Sequence, residues 1–173
     1  MKRPLNTEYV DYYDRYIRLV PDGDIVAILA RQIEETLQVL AALPEARASY
    51  RYAVDKWSIK EVVGHVVDVE RVFAYRALMF ARNAPDPQPA IEQDDLVRYA
   101  NFDQRTLPEI CDEFQFLRRS NLVLFRSFDD QIEMRRGLAS GFEFTVRAIP
   151  YIIAGHELHH MRIIKECYLR TAD

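Results

Sequence analysis

The chain has 173 residues, 49% of them apolar and 29% charged, with only five glycines and eight prolines. That balance excludes disordered, collagen-like and low-complexity proteins and suits one domain, 1–173, with a single buried core. A net charge of −4, with the 23 basic residues scattered and not blocked together, leaves no electrostatic footprint for a nucleic acid.

Residues 1–22 read as an N-terminal aromatic extension. Met1-Lys2-Arg3-Pro4 leads to Asn6 and Glu8 without the apolar run of a signal peptide. Tyr9, Tyr12, Tyr13 and Tyr16 precede a Pro21-Asp22-Gly23 turn, as a lid or extra helix packed on the main body would. The first long helix is predicted from about Asp24 to Leu43. Ile25, Leu29, Ile33, Leu37 and Leu40 fall on one stripe, Asp22 or Asp24 can cap it, and Pro44 closes it.

A second helix opens on Ser58-Ile59-Lys60-Glu61, a capping box, with Trp57 and Val62 placed as a hydrophobic staple. It runs through Phe80 and stops before Pro85. Residues 83–105, rich in proline and then in acid, are long enough to cross from one end of a bundle to the other. Thr106-Leu107-Pro108-Glu109 repeats the capping logic for a third helix, with Ile110, Phe114, Leu117, Asn121, Leu124 and Phe128 on one face. Residues 129–144 hold Gly137 and Gly141 and are the one place for a short hairpin. The fourth helix begins between Thr145 and Pro150 and reaches about Leu169; an early start makes Pro150 a kink, a late one puts it harmlessly in the first turn. No apolar run approaches the roughly 20 residues of a membrane span. Cys111 and Cys167 are too few for a disulfide framework and read as reduced thiols of a cytoplasmic protein. The expected fold is all-α, an antiparallel four-helix bundle with one long crossover.

The four histidines carry the chemistry. His156 and His160 stand four residues apart and share a helix face with Ile149, Ile153, Ile163 and Cys167. His65 lies on a comparable stripe with Val62, Val69, Val72 and Phe73. Each ring alone is explained by a local hydrogen bond, and Cys167 by core packing. Three rings directed into one core from two helices point to a shared divalent ion, since unpartnered burial costs about 1–3 kcal/mol each. Neutral imidazoles suit Zn²⁺, Ni²⁺ or Fe²⁺, and three protein ligands leave positions open, as catalytic sites do. His156-Glu157-Leu158-His159-His160 also satisfies the H-E-x-x-H metalloprotease pattern. That reading fails because only Glu166 and Asp173 could supply a downstream carboxylate ligand, Glu166 on the same helix.

His159 sits one step off the metal face, on the helix flank, where its one catalytic role would be proton transfer. Asp68, Glu70 and Glu157 are carboxylates that can accept the free N–H of a ligating histidine, although Asp68 reads equally well as a solvated acid. Tyr75, Arg76 and Arg82 continue the second helix, and Arg76 suits either an acid partner or an anionic substrate. The staple suffices to explain Trp57.

Lys56-Trp57-Ser58-Ile59-Lys60-Glu61-Val62-Val63-Gly64-His65, then Asp68 through Leu78, then Gly155-His156-Glu157-Leu158-His159-His160, resemble the DinB-like family of metal-binding bundles. The likeness runs from about Tyr9 to Leu169. It implies an antiparallel four-helix bundle, often a homodimer, with a divalent metal on the equivalents of His65, His156 and His160. Relatives with known activity are thiol-dependent: bacillithiol transferases and a mycothiol-dependent maleylpyruvate isomerase. Some relatives carry a carboxylate where His156 stands, so that feature of the isomerase does not transfer.

The leading functional expectation is therefore a metal-dependent transfer of a low-molecular-weight thiol onto a small electrophile, without nucleic-acid or membrane partners. A metal-dependent hydrolase is the alternative enzyme. A non-catalytic protein whose metal only staples two helices is the third class.

Overall fold

The structure, a computed structural model, describes residues 1–84 and 87–169. Among them stand four long helices: α1 (Ile25–Ala41), α2 (Ile59–Ala81), α3 (Leu107–Arg126) and α4 (Ala148–Ile163). Pro85, expected just past the end of α2, Asp86 beside it, and Asp173 lie outside the described residues.

The caps are those the sequence predicts. Asp24 accepts the amide of Ala27 at the start of α1. Ser58 accepts from the amide of Glu61, whose carboxylate reaches back to the Ser58 amide at 2.6 Å. Thr106 and Glu109 form the same box on α3. The helix α1 stops at Ala41, so Pro44 does not close it; Pro44 instead precedes a separate turn, Glu45–Ala48. Helix α4 begins at Ala148, which places Pro150 in the first turn, where its missing N–H has no intrahelical partner to lose.

Packing partners fix the direction of each helix. Arg118 of α3 donates to the carbonyl of Leu29, while Leu37 and Leu40 lie beside Leu107 and Cys111, so α1 and α3 are antiparallel. Tyr168, just past α4, donates to the Trp57 carbonyl, and His65 meets His156, so α2 and α4 are antiparallel. Both Lys60 and the Leu107 amide reach Glu45, and Glu70 reaches Arg118, which makes α2 and α3 parallel. Helices α1 and α2 each pack against α3 and α4 and face one another across a diagonal. The order is up, down, down, up. Two successive parallel helices require a return path, and the expected crossover supplies it, carrying short helices at Gln93–Tyr99 and Phe102–Gln104.

The hairpin is real: β1 (Arg136–Ala139) pairs antiparallel with β2 (Phe142–Thr145). Ser140 and Gly141 turn it with φ of 53° and 80°, the double positive φ that a two-residue turn of matching twist demands. Backbone bonds between Gln88 and both Leu138 and Ser140 tie the crossover to it.

The apolar core has two halves. One gathers Leu29, Val69, Phe73, Phe125 and Ile153; the other gathers Ile33, Val63, Phe114, Met161 and Ile164. Between them, every long helix contributes buried polar side chains at mid-length: Gln32 and Thr36, His65 and Glu70, Arg118 and Asn121, His156 and Glu157. The candidate site lies in this layer. Among the described residues no helix is long and apolar enough to cross a membrane.

Candidate metal centre

His65, seven residues into α2, and His156 and His160, one turn apart on α4, meet across the antiparallel α2–α4 interface. The Nε2 atom of His156 lies 3.2 Å from that of His65 and 3.1 Å from that of His160. One ligand atom from each ring falls within 4.8 Å of the other two. Nitrogens held tetrahedrally at 2.0–2.1 Å from one ion stand about 3.3 Å apart. The separations from His156 to His65 and to His160 both match that spacing.

Protein atoms alone satisfy this arrangement poorly. A neutral imidazole offers either a proton or a lone pair at Nε2, and three converging Nε2 atoms cannot all find complementary partners. The buried Nδ1 of His65 has no hydrogen-bond partner either. Burial holds His65 down to a pKa of about 4. Burial, and then the neighbouring His65 and His159, hold His160 down to about 3. His156 is pushed well below the usual range by burial and then by the other rings. All three are neutral at pH 7, with lone pairs free for a cation. The donor set fits a divalent metal, and these three residues can hold one.

The N-terminal extension covers the cluster. Its turn Asp14–Ile17 places the Tyr16 ring edge-on to His156 and to His159, each at 5.4 Å between centroids. Trp57 does more than staple the helix, since its ring lies 4.8 Å from that of His65. His159 stays half-buried on the flank, against Tyr16 and His160, and outside the ligand group. Burial, followed by the nearby Arg162 and Arg15, lowers its pKa too. Two separate cavities adjoin the cluster. One of about 360 Å³ is lined by His156, Tyr12, Tyr13, Tyr16, Phe73 and Arg76. The other, of about 340 Å³, is lined by His160, Trp57, Lys56, Asp94 and Tyr168.

The three carboxylates expected beside the histidines bond elsewhere. Asp68 pairs with Arg71 at 3.5 Å on the bundle surface. Glu70 takes two bonds from Arg118 and one from Asn121. Glu157 accepts from Gln32, Thr36 and Arg118, all within 2.7 Å. A residue next to His156 on a helix points about 100° away from it, so Glu157 faces α1 and α3. Cys167 is exposed, not packed in the core. After Ile163 the helix widens into a π turn, Ile164–Tyr168, which brings Ile164 and Tyr168 inward in place of Ile163 and Cys167. Of the second-helix residues singled out, Tyr75 and Arg82 are exposed and Arg76 is buried.

Sequence reasoning missed Arg118, Gln32 and Thr36, which support the site from behind, and the covering role of Tyr16. Gln32 and Thr36 left a signal, an i,i+4 polar pair beside an apolar stripe.

A family model, that of the DinB superfamily, matches residues 28–164. Among solved structures, YfiT from Bacillus subtilis, described as a probable metal-dependent hydrolase with an unusual four-helix bundle topology, is similar with a TM-score of 0.68. The two are 16% identical, over 95% of this chain and 90% of that one, a likeness of fold. No curated protein matches the chain.

Proposed function

The chain belongs to the DinB superfamily, and from that premise we propose that it is a metal-dependent enzyme joining a low-molecular-weight thiol to a small electrophile. The observation that carries the reading is the convergence of three neutral histidines, with the Nε2 atoms of His65 and His160 at 3.2 and 3.1 Å from that of His156, between two cavities, one bounded by His156 and the other by His160. Separate cavities suit a reaction of two organic substrates. A bound divalent ion would supply Lewis acidity, lowering the pKa of a thiol held in its open positions.

The chain's own residues do the rest. His65, His156 and His160 would hold the ion as uncharged ligands, which would leave its double charge undiminished. Tyr16 and Trp57 shield two of the rings from bulk water, which strengthens every electrostatic interaction between them. His159, neutral and half-exposed beside His160, would take the thiol proton and pass it to solvent.

The test is conjugation. Zinc-, nickel- and iron-loaded protein is incubated with monochlorobimane and bacillithiol, mycothiol or glutathione in turn. Metal-dependent conjugate with at least one thiol is the expected result, and its absence with all three ends the transferase reading. The description of YfiT favours a second reading, metal-dependent hydrolysis, in which water takes the place of the thiol. Turnover of ester or amide substrates by the same loaded protein, without any thiol, would select it. The ligand set is tested apart from activity: His65→Ala should retain no metal by elemental analysis, and stoichiometric metal in that variant would overturn the assignment.

A further inference from the structure

Arg76 is 2% exposed, yet it has no carboxylate partner among the described residues. Its Nη2 donates to the Pro89 carbonyl at 2.7 Å and to the Ser140 hydroxyl at 3.0 Å. Both acceptors are neutral. The Phe73 ring lies beneath the guanidinium at 5.1 Å, and the Tyr13 phenol is a further polar neighbour. A cation buried against neutral acceptors alone is costly, and an anion brought up to it would offset that cost.

The cavity that Arg76 enters is the one that reaches His156. Val69, Phe73 and Arg76 line it at successive turns of α2, a rise of about 10 Å. Tyr12, Tyr13 and Tyr16 form an aromatic wall. Glu92 stands at the exposed rim, and no ion pair links it to Arg76. At about 360 Å³ the space is that of a small organic ligand.

We propose that this cavity binds a small organic carboxylate, its anionic end on Arg76, its apolar body against Tyr13 and Phe73, and its other end at the histidine cluster. The substrate class named here rests on the enzymatic reading above. Arg76 would be a binding and specificity residue, since it holds the substrate at the end away from the reacting atoms. The hairpin turn contributes through Ser140, and the crossover through Pro89, so both connecting segments help to aim the guanidinium.

The probes are 3-phenylpropanoate and its neutral isostere 3-phenylpropanamide, titrated calorimetrically into protein freed of metal by chelation and dialysis. The acid should bind, and the amide at least tenfold more weakly. Arg76→Gln should lose at least tenfold in affinity for the acid while keeping the helical circular dichroism of the parent. If that variant does not fold, Arg76→Lys, which keeps the charge and shortens the reach, should bind the acid several-fold more weakly. Equal binding of acid and amide, no binding of the acid, or acid binding unchanged in a folded Arg76 variant would each overturn the proposal. Acid binding that appears only with zinc present would place the carboxylate on the metal, and would also overturn it. Zinc uptake is measured separately. Its failure alongside Arg76-dependent acid binding would sink the metal reading and leave this one standing.

Discussion

The backbone carbonyl of Tyr16 fills the space that a side chain on Gly155 would need, for a Cβ there would stand 2.1 Å from that oxygen. The extension is seated on α4 by this close approach, one residue before His156. Glycine within a helix costs roughly 0.5–1 kcal/mol relative to alanine, so propensity alone predicts that Gly155→Ala stabilises the protein. The contact is with backbone, which cannot rotate aside, and steric conflict outweighs propensity. Gly155→Ala should lower the melting temperature and speed metal loss to an external chelator, because Tyr16 lifts away from His156. A raised melting temperature would show that the turn is not docked there.

The histidines predict a pH dependence in the metal-free protein. Unfolded, each ring takes a proton near 6.5; folded, His65 does so at about 4 and His160 at about 3. The unfolded chain binds more protons below 6.5, so stability is full above that pH and falls as the pH drops toward 4. Burial raises the carboxyl pKa values of Asp68 and Glu157, so the parent and a single-histidine variant must be compared over the same window, 6.5 to 5, to isolate one ring. Thermal or urea unfolding across that window should show His160→Gln with a shallower slope, smaller by up to about 1.4 kcal/mol per pH unit for the one proton removed. Equal slopes in parent and variant would mean that His160 is not held neutral.

Much of this was legible in the sequence, for reasons that can be named. Ser58 and Thr106 announce α2 and α3 because a capping box is a local device, complete within four residues. The His156–His160 pair is legible because helical periodicity alone puts i and i+4 on one face. Directions and partners are not local. That α2 and α3 run parallel depends on where the crossover returns, and the length of 83–105 only permits it. Glu70 and Glu157 read as acids near histidines because both stand close to one in sequence. Their partner Arg118 lies on a third helix, and nothing in its own neighbourhood distinguishes it from a surface arginine except Asn121, a polar residue on an apolar stripe. The π turn after Ile163 shifts the inward face by one residue, which a strict 3.6 period cannot anticipate.

Arg118 is fully buried and bonded to two acids, Glu70 and Glu157, at 2.6 to 2.8 Å. Arg118→Met would leave both carboxylates in the core without a cation. The expected loss is about 3–5 kcal/mol, read by chemical denaturation. The triple variant Arg118→Met, Glu70→Gln, Glu157→Gln removes the buried charges together and should recover a large part of that loss. If the single variant is as stable as the parent, the layer between the two core halves is not held by this ion network.

Glu8 anchors the far end of the covering segment. Its carboxylate accepts from both Nε and Nη2 of Arg147, from the Thr145 hydroxyl at 2.8 Å and from the Leu5 amide at 3.1 Å. Hydrogen bonding to Arg147 is the main reason that its pKa falls from 4.5 to about 2. Since the folded carboxyl is the stronger acid, its contribution is complete above pH 4.5 and is lost as the pH falls toward 2. Glu8→Gln keeps the shape and removes the charge, and should cost on the order of 2 kcal/mol at neutral pH. The parent and the variant should then converge in stability as the pH is lowered from 5 to 2.5. The same substitution should expose the peptide bonds between Tyr9 and Tyr16 to limited proteolysis and raise the accessibility of His156, because Tyr16 is held on one side by Gly155 and on the other by this pair. Persistent protection of residues 9–16 in the variant would show that the Gly155 contact suffices by itself.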